Sequence, residues 1–276
     1  MYIPRPLIDI EAFKNGLPDA KFVDGDKVVW GCRMFKSPLE VERMKRAAQV
    51  IHRMHAAVAK EFRPGMSEMD VAKICHHIQI ESGDIQGGDT AIISHIICGG
   101  EKEGMLDVLA HSEVTITAGD YLQLDLMHKH RGYWAYVVRQ FQVGPVTDEM
   151  ERYYQLCAEG MENALSIIKP GVRCCDVFEA AVKPETDAGL EPPFGMAGHG
   201  IGMDILEPPS IDSTNEAVLE EGMTFSLETW LITGLRRHGG SGLFGYEEQY
   251  VITENGYETV GAIDKRINQV LHPFSG

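Results

Sequence analysis

The sequence has no run of eighteen apolar residues, and its start, Met1 to Phe13, lacks the basic leader and apolar stretch of a secretion signal. A cytoplasmic protein without a membrane partner is therefore expected. There is no CxxC pair either. Six cysteines (Cys32, Cys75, Cys98, Cys157, Cys174 and Cys175) lack metal-finger spacing, and the adjacent Cys174 and Cys175 cannot form an ordinary bridge. Buried free thiols are expected. Basic residues are scarce: 25 Lys and Arg against 41 Asp and Glu leave a net charge of −16, which argues against binding nucleic-acid phosphates. What the 276 residues do contain, at 44% apolar, is enough to bury the core of one large domain or two small ones.

Apolar residues at Met44, Ala47, Ala48, Ile51, Met54 and Val58 have helical spacing, and the segment Ser37 to Phe62 opens on Ser-Pro and stops before Pro64-Gly65. A second helix is predicted from Ser67 to about Ser82, with Ser67 and Asp70 as a capping-box start. The plan then recurs: Thr147 to Ile168 is a long amphipathic helix, Pro170-Gly171 closes it, and another helix follows through Asp176, Val177 and Phe178. Pro64, Gly65, Asp70, Val71 and Gly83 match Pro170, Gly171, Asp176, Val177 and Gly189 at an offset of 106. Gly119 to Asp125 matches Gly222 to Glu228 at an offset of 103. An internal duplication is expected, each half running helix, Pro-Gly turn, helix, strands, in an α+β domain.

Both matched strands alternate. Leu122, Leu124 and Leu126 should face helices while Gln123 and Asp125 face away; Phe225 and Leu227 should likewise oppose Ser226 and Glu228. Packing about a pseudo-twofold would bring Asp125 and Glu228 onto one polar face of the sheet, where a ligand cleft would form. His199 lies among Gly198, Gly200 and Gly202, glycines that would let backbone approach a ligand closely. Glu247 follows a glycine-rich stretch and begins a strand, although a Glu beside another, here Glu248, is ordinarily a solvated pair. His111 lies upstream of the Asp125 strand.

In this order the motifs resemble the pita-bread hydrolases, the family of methionine aminopeptidase, aminopeptidase P, prolidase and creatinase. The resemblance rests on Gly119-Asp120 leading to Asp125, Gly198-His199-Gly200-Ile201-Gly202 intact, Gly222-Met223-Thr224-Phe225-Ser226-Leu227-Glu228, and Tyr246-Glu247 ahead of Val251-Ile252-Thr253. Arg33 to Glu40 is similar to the family's entry to its first domain helix, and the whole spans about residues 30 to 265. It implies a pita-bread fold: a curved antiparallel sheet, internally duplicated and flanked by helices. Residues 1–29 would then be the tail of an N-terminal domain, its last helix and strand, and 30–276 the catalytic domain.

Departures from the family pattern are as informative. Tyr136 stands where the metallopeptidases place an Asp that helps hold two metal ions, Leu206 where they keep a second histidine, and Gly245 where prolidases and aminopeptidase P share an Arg. The resemblance therefore implies a site holding no metal or one divalent ion (Mn, Zn, Fe or Co) through Asp125, His199, Glu228 and Glu247. Creatinase, a member with altered ligand positions, implies His111 as general acid or base with Glu228 and Glu247 as catalytic partners. Asp125, Tyr136 and His199 would bind the substrate. The expected function is hydrolysis of a carbon–nitrogen bond in a small nitrogenous substrate: an amidine, an amide or an amino-acid-like molecule. A metal-dependent Xaa-Pro or N-terminal exopeptidase and an inactive binding module of the same fold are the alternatives. A homodimer, or a partner carrying an N-terminal domain, is the expected assembly.

Overall fold

The computed structural model describes residues 7–83, 93–98, 113–234, 242–261 and 268–271. Two helices, α1 (Leu7–Gly16) and α2 (Asp26–Arg33), open it where a helix and a strand were expected, and α2 buries none of its residues. Helix α3 (Pro38–Glu61) begins with Pro38 in its first turn and a capping box between Ser37 and Glu40, and it buries all six of the periodic residues from Met44 to Val58. Helix α4 (Glu68–Glu81) is capped by Ser67, whose hydroxyl accepts from the Asp70 N–H at 3.2 Å. Thr147 caps α5 (Asp148–Ile167) in the same way, through the Met150 N–H at 3.2 Å. Helix α6 (Cys174–Asp187) completes the second pair. No helix among the described residues is long and apolar enough to cross a membrane.

The strands are β1 (Ile93–Cys98), β2 (Tyr121–His130), β3 (Tyr133–Val143), β4 (Met196–Gly200), β5 (Glu207–Asp212), β6 (Thr224–Ile232), β7 (Leu243–Thr253), β8 (Gly256–Thr259) and β9 (Asn268–Leu271). They form one sheet in the order β1-β2-β3-β7-β6-β4-β5, with β8 beside β7 and β9 beside β3. Every pairing is antiparallel except that of β9 with β3. The order is symmetric about the β3–β7 contact, with β2 answering β6.

The turn backbones repeat as closely as the sequence does. Gly65 and Gly171 have φ of 90° and 90°, Gly83 and Gly189 76° and 75°, Gly119 and Gly222 88° and 86°. These are left-handed angles that only glycine adopts without strain, which is why these glycines survive in both copies. Each Pro-Gly turn also docks identically on its own half: the Gly65 N–H donates to Ile116 O and the Gly171 N–H to Leu219 O.

Alternation then separates two faces. Leu122, Leu124 and Leu126 pack with Ile51, Met54, Val58, Val71 and Cys75 from α3 and α4. Phe225 and Leu227 pack with Met161, Ala164, Val177 and Ala181 from α5 and α6. Each such side chain contributes about 1.5–3 kcal/mol of burial, so the helical face fixes the register and with it the polar residues opposite. Cys75, Cys157, Cys174 and Cys175 are buried free thiols as expected, whereas Cys32 is exposed.

Candidate active site and metal centre

A single cross-strand row carries the carboxylates. Asp125 on β2 pairs with Val138 on β3, Val138 with Glu247 on β7, and Glu247 with Glu228 on β6. His199 on β4 pairs with Ser226, one step along β6 on the same face. Ligand atoms of His199, Glu228 and Glu247 all lie within 4.8 Å of one another, and Asp125 stands outside that trio. His111 lies outside the described residues.

The glycines flanking His199 make room for protein rather than ligand. A Cβ at Gly198 would lie 2.2 Å from Ser226 O, and one at Gly200 would lie 2.2 Å from Pro208 O, so β4 fits between β6 and β5 only with bare backbone. Gly202 is crowded by Lys36 and Glu207 instead. The side chain of Glu207, fully buried, accepts from Arg33, from Lys36 at 3.0 Å, and from the Met203 and Asp204 N–H groups at 2.9 and 3.0 Å. That network ties the entry to α3 onto the loop after His199 and leaves Leu206 64% exposed.

Each member of the trio is held from one side. His199 Nδ1 is 3.0 Å from Gly200 O, which directs Nε2 toward Glu247 Oε1 at 3.7 Å. The Ser226 hydroxyl donates to Glu247 Oε1, and the Trp230 indole N–H donates to Glu228 Oε2 at 2.7 Å. The Tyr136 hydroxyl donates to Asp125 Oδ2 at 3.2 Å, and its ring stacks on His199 with centroids 6.2 Å apart.

Burial dominates the electrostatics. It raises the Glu228 carboxyl to about 7, with Asp125 adding to the effect and the Trp230 hydrogen bond opposing it. Glu247, fully buried, is pushed well above the ordinary carboxylate range by burial first and then by Glu228 and Asp125. The same burial depresses His199 and keeps its imidazole neutral. Tyr136 is raised well above the ordinary phenol by burial and by Asp125, Glu247 and Glu228, so it stays a proton donor.

The adjacent pair Glu247-Glu248, ordinarily solvated, is buried here on opposite faces. Glu248 points to the helices, where the Arg139 guanidinium donates to it at 2.5 Å, donates to Glu247 O at 2.8 Å and stacks on the Tyr246 ring. Arg139 is thus committed to the face away from the site. Ser226 and Trp230 hold the two glutamates yet were not assigned a role from the sequence. Their only signal was alternation with Glu228 along β6.

The donor set fits one divalent ion. A neutral imidazole and two carboxylates converge from three strands, and Glu247 Oε2 is buried with no hydrogen-bond partner among the described residues, an atom that an ion would satisfy. Beside this trio, Asp125 is met by the Tyr136 phenol and not by another carboxylate.

The sequence pattern of metallopeptidase family M24 matches residues 42–254. An uncharacterized hydrolase/peptidase of Sinorhizobium fredii is 32% identical over 91% of this chain and 62% of its own length. The ectoine hydrolase of Halomonas elongata is 27% identical over 91% of this chain and 64% of its own length. The chain thus spans a little under two thirds of these relatives. Among solved structures, dipeptidase PepE of Mycobacterium ulcerans superposes with a TM-score of 0.83 at 26% identity, covering 97% of this chain and 69% of that one. X-Pro aminopeptidase of Thermotoga maritima gives 0.84 at 24% identity over 96% and 72%. The α+β arrangement of duplicated helix pairs on an antiparallel sheet is therefore the pita-bread fold.

Proposed function

The chain belongs to metallopeptidase family M24, and on that premise we propose that it is a hydrolase of a carbon–nitrogen bond in a small nitrogenous substrate, working with at most one divalent ion. The observation that carries this reading is Tyr136: its hydroxyl donates to Asp125 where a second metal-binding carboxylate would stand. Three ionised carboxylates and one divalent ion sum to one negative charge, which suits an amidinium, guanidinium or ammonium group.

The residues divide the work by environment. With no ion bound, Glu228, raised to about 7, holds a proton that it can give to a departing nitrogen near neutral pH; with an ion bound it is ionised and acts as a ligand. Neutral His199 offers a lone pair, and Ser226 and Trp230 keep the glutamates oriented. Tyr136 presents a proton toward Asp125 in a buried, low-dielectric setting, where such a donor acts most strongly. A divalent ion on His199, Glu228 and Glu247 would supply a Lewis acid that polarises the scissile group. His111 remains the proposed further acid or base.

Two measurements test the reading together: metal analysis of the purified chain, and hydrolysis of small amidines and amides against Xaa-Pro dipeptides. At most one transition metal per chain with turnover of the small substrates is expected. Two metals at full occupancy with dipeptide cleavage would overturn it. A metal-dependent exopeptidase is the second reading, favoured by the convergence of His199, Glu228 and Glu247 and by the dipeptidase and aminopeptidase structures above. A homodimer, or a partner carrying an N-terminal domain, is the assembly proposed for either.

A further inference from the structure

Trp230 lies two positions beyond Glu228 on β6, on the same face of the sheet, and is 6% exposed. Its cross-strand partner is Gly245. A Cβ at Gly245 would lie 2.0 Å from the indole, so the ring occupies the space that any side chain at that position would need. Phe194 meets the indole edge to face, with centroids 5.8 Å apart and planes at 85°. Tyr136 and Phe194 both pack against the cluster of Val138, Trp230 and Leu243, and Tyr136 stacks in turn on His199. Two ring pairs, Phe194 with Trp230 and Tyr136 with His199, therefore meet at the Val138 cluster, with Trp230 bonded to Glu228 and Tyr136 to Asp125.

The geometry points to Trp230 as the residue that sets substrate specificity: seated over Gly245, it walls the acidic site with an aromatic surface suited to a flat nitrogenous cation, amidinium or guanidinium. This rests on the proposed function and names its substrate class. Trp is the best aromatic partner for a cation, and the attraction grows when water is excluded. A planar cation beside this wall presents N–H groups that carboxylates accept in pairs. An anionic end group finds the opposite conditions. The site keeps a net negative charge with one ion bound, Arg139 is engaged on the other face by Glu248, and Gly245 has no room for a cationic side chain. The indole N–H adds a positioning effect, because it fixes Glu228 Oε2 and so decides which oxygen is left for the ligand.

The test uses the full chain as purified, with acetamidinium chloride as the probe and acetamide as its neutral shape-mate, by titration calorimetry. The native protein should bind acetamidinium at least tenfold more tightly than acetamide. Trp230→Met, which fills the space without a ring, should cut that preference below threefold, while Trp230→Phe should keep at least half of it. Gly245→Ala changes the seat and not the indole, and should follow Trp230→Met because the new methyl displaces the ring. Circular dichroism identifies a variant that fails to fold, and the remaining two then decide. No preference in the native protein, or an undiminished preference in folded Trp230→Met or Gly245→Ala, overturns the proposal. Two metals per chain with Xaa-Pro cleavage would overturn the preceding reading of function and leave the amidinium preference to be scored by itself.

Discussion

The first half, α3 through β3, and the second, α5 through β7, share turn glycines, helix caps and strand order, yet they contribute unequally to the site. The second half supplies His199, Glu228, Glu247, Ser226 and Trp230; the first supplies Asp125 and Tyr136. Opposite Glu228 the second half places Glu247, whereas opposite Asp125 the first half places Val138. A duplicated backbone thus offers two equivalent positions for each functional group, and a few substitutions decide which half holds charge. The same contrast appears away from the site. Gln79 in α4 and Glu185 in α6 are equivalent at the 106 offset. Gln79 is buried and its amide donates to Met127 O at 2.8 Å, while burial alone raises Glu185 to about 8; Oε1 of each has no hydrogen-bond partner among the described residues.

The most severe way to break this asymmetry is to remove charge from each half in turn. Glu247→Gln should weaken Mn(II) binding by calorimetry about a thousandfold, since it takes a ligand from the trio, whereas Asp125→Asn should cost about tenfold, the range of an outer contact. Equal losses would mean that the halves share the ion. Next, Tyr136→Asp makes the first half resemble the second, and metal analysis should show occupancy rising from one ion toward two per chain. Unchanged metal content would show that the phenol is not what limits the site.

Glu185→Gln imports the first half's solution into the second. A carboxyl whose folded pKa is about 8 against an ordinary 4.5 stabilises the fold only while protonated in both states; that stability is present below about 4.5 and is lost as pH rises toward 8. The variant escapes the loss. Its stability should match the native one near pH 4 and exceed it at pH 8 by about 4 kcal/mol, a rise in thermal midpoint of roughly 10 °C. A constant difference across that window would place the effect in packing instead. The smallest effect is expected of Ser226→Ala, which removes one hydroxyl from Glu247 and should weaken Mn(II) binding by only a few-fold to about tenfold, without altering the fold.

Much of the architecture was legible because it is written locally. Capping residues, Pro-Gly turns and period-two alternation act over a few positions, so α3 to α6, the strands carrying Asp125 and Glu228, and the duplication itself could be read directly. The glycines around His199 were legible as a feature but not in their role: they accommodate neighbouring strands, and no local rule distinguishes that from room for a ligand. Glu247 and Glu248 likewise separate into a site carboxylate and an arginine partner only once β3 lies beside β7.

The sequence by itself determined the order of helices and strands, the face on which each polar residue stands, and the substitution at Tyr136. The tertiary structure decided which of those residues meet. The convergence of His199, Glu228 and Glu247, the placing of Trp230 over Gly245 and the engagement of Arg139 all depend on contacts between strands far apart in the chain. Such contacts are set by the packing of the helical face, whose burial energy fixes strand order and register together, and that information resides in no single segment.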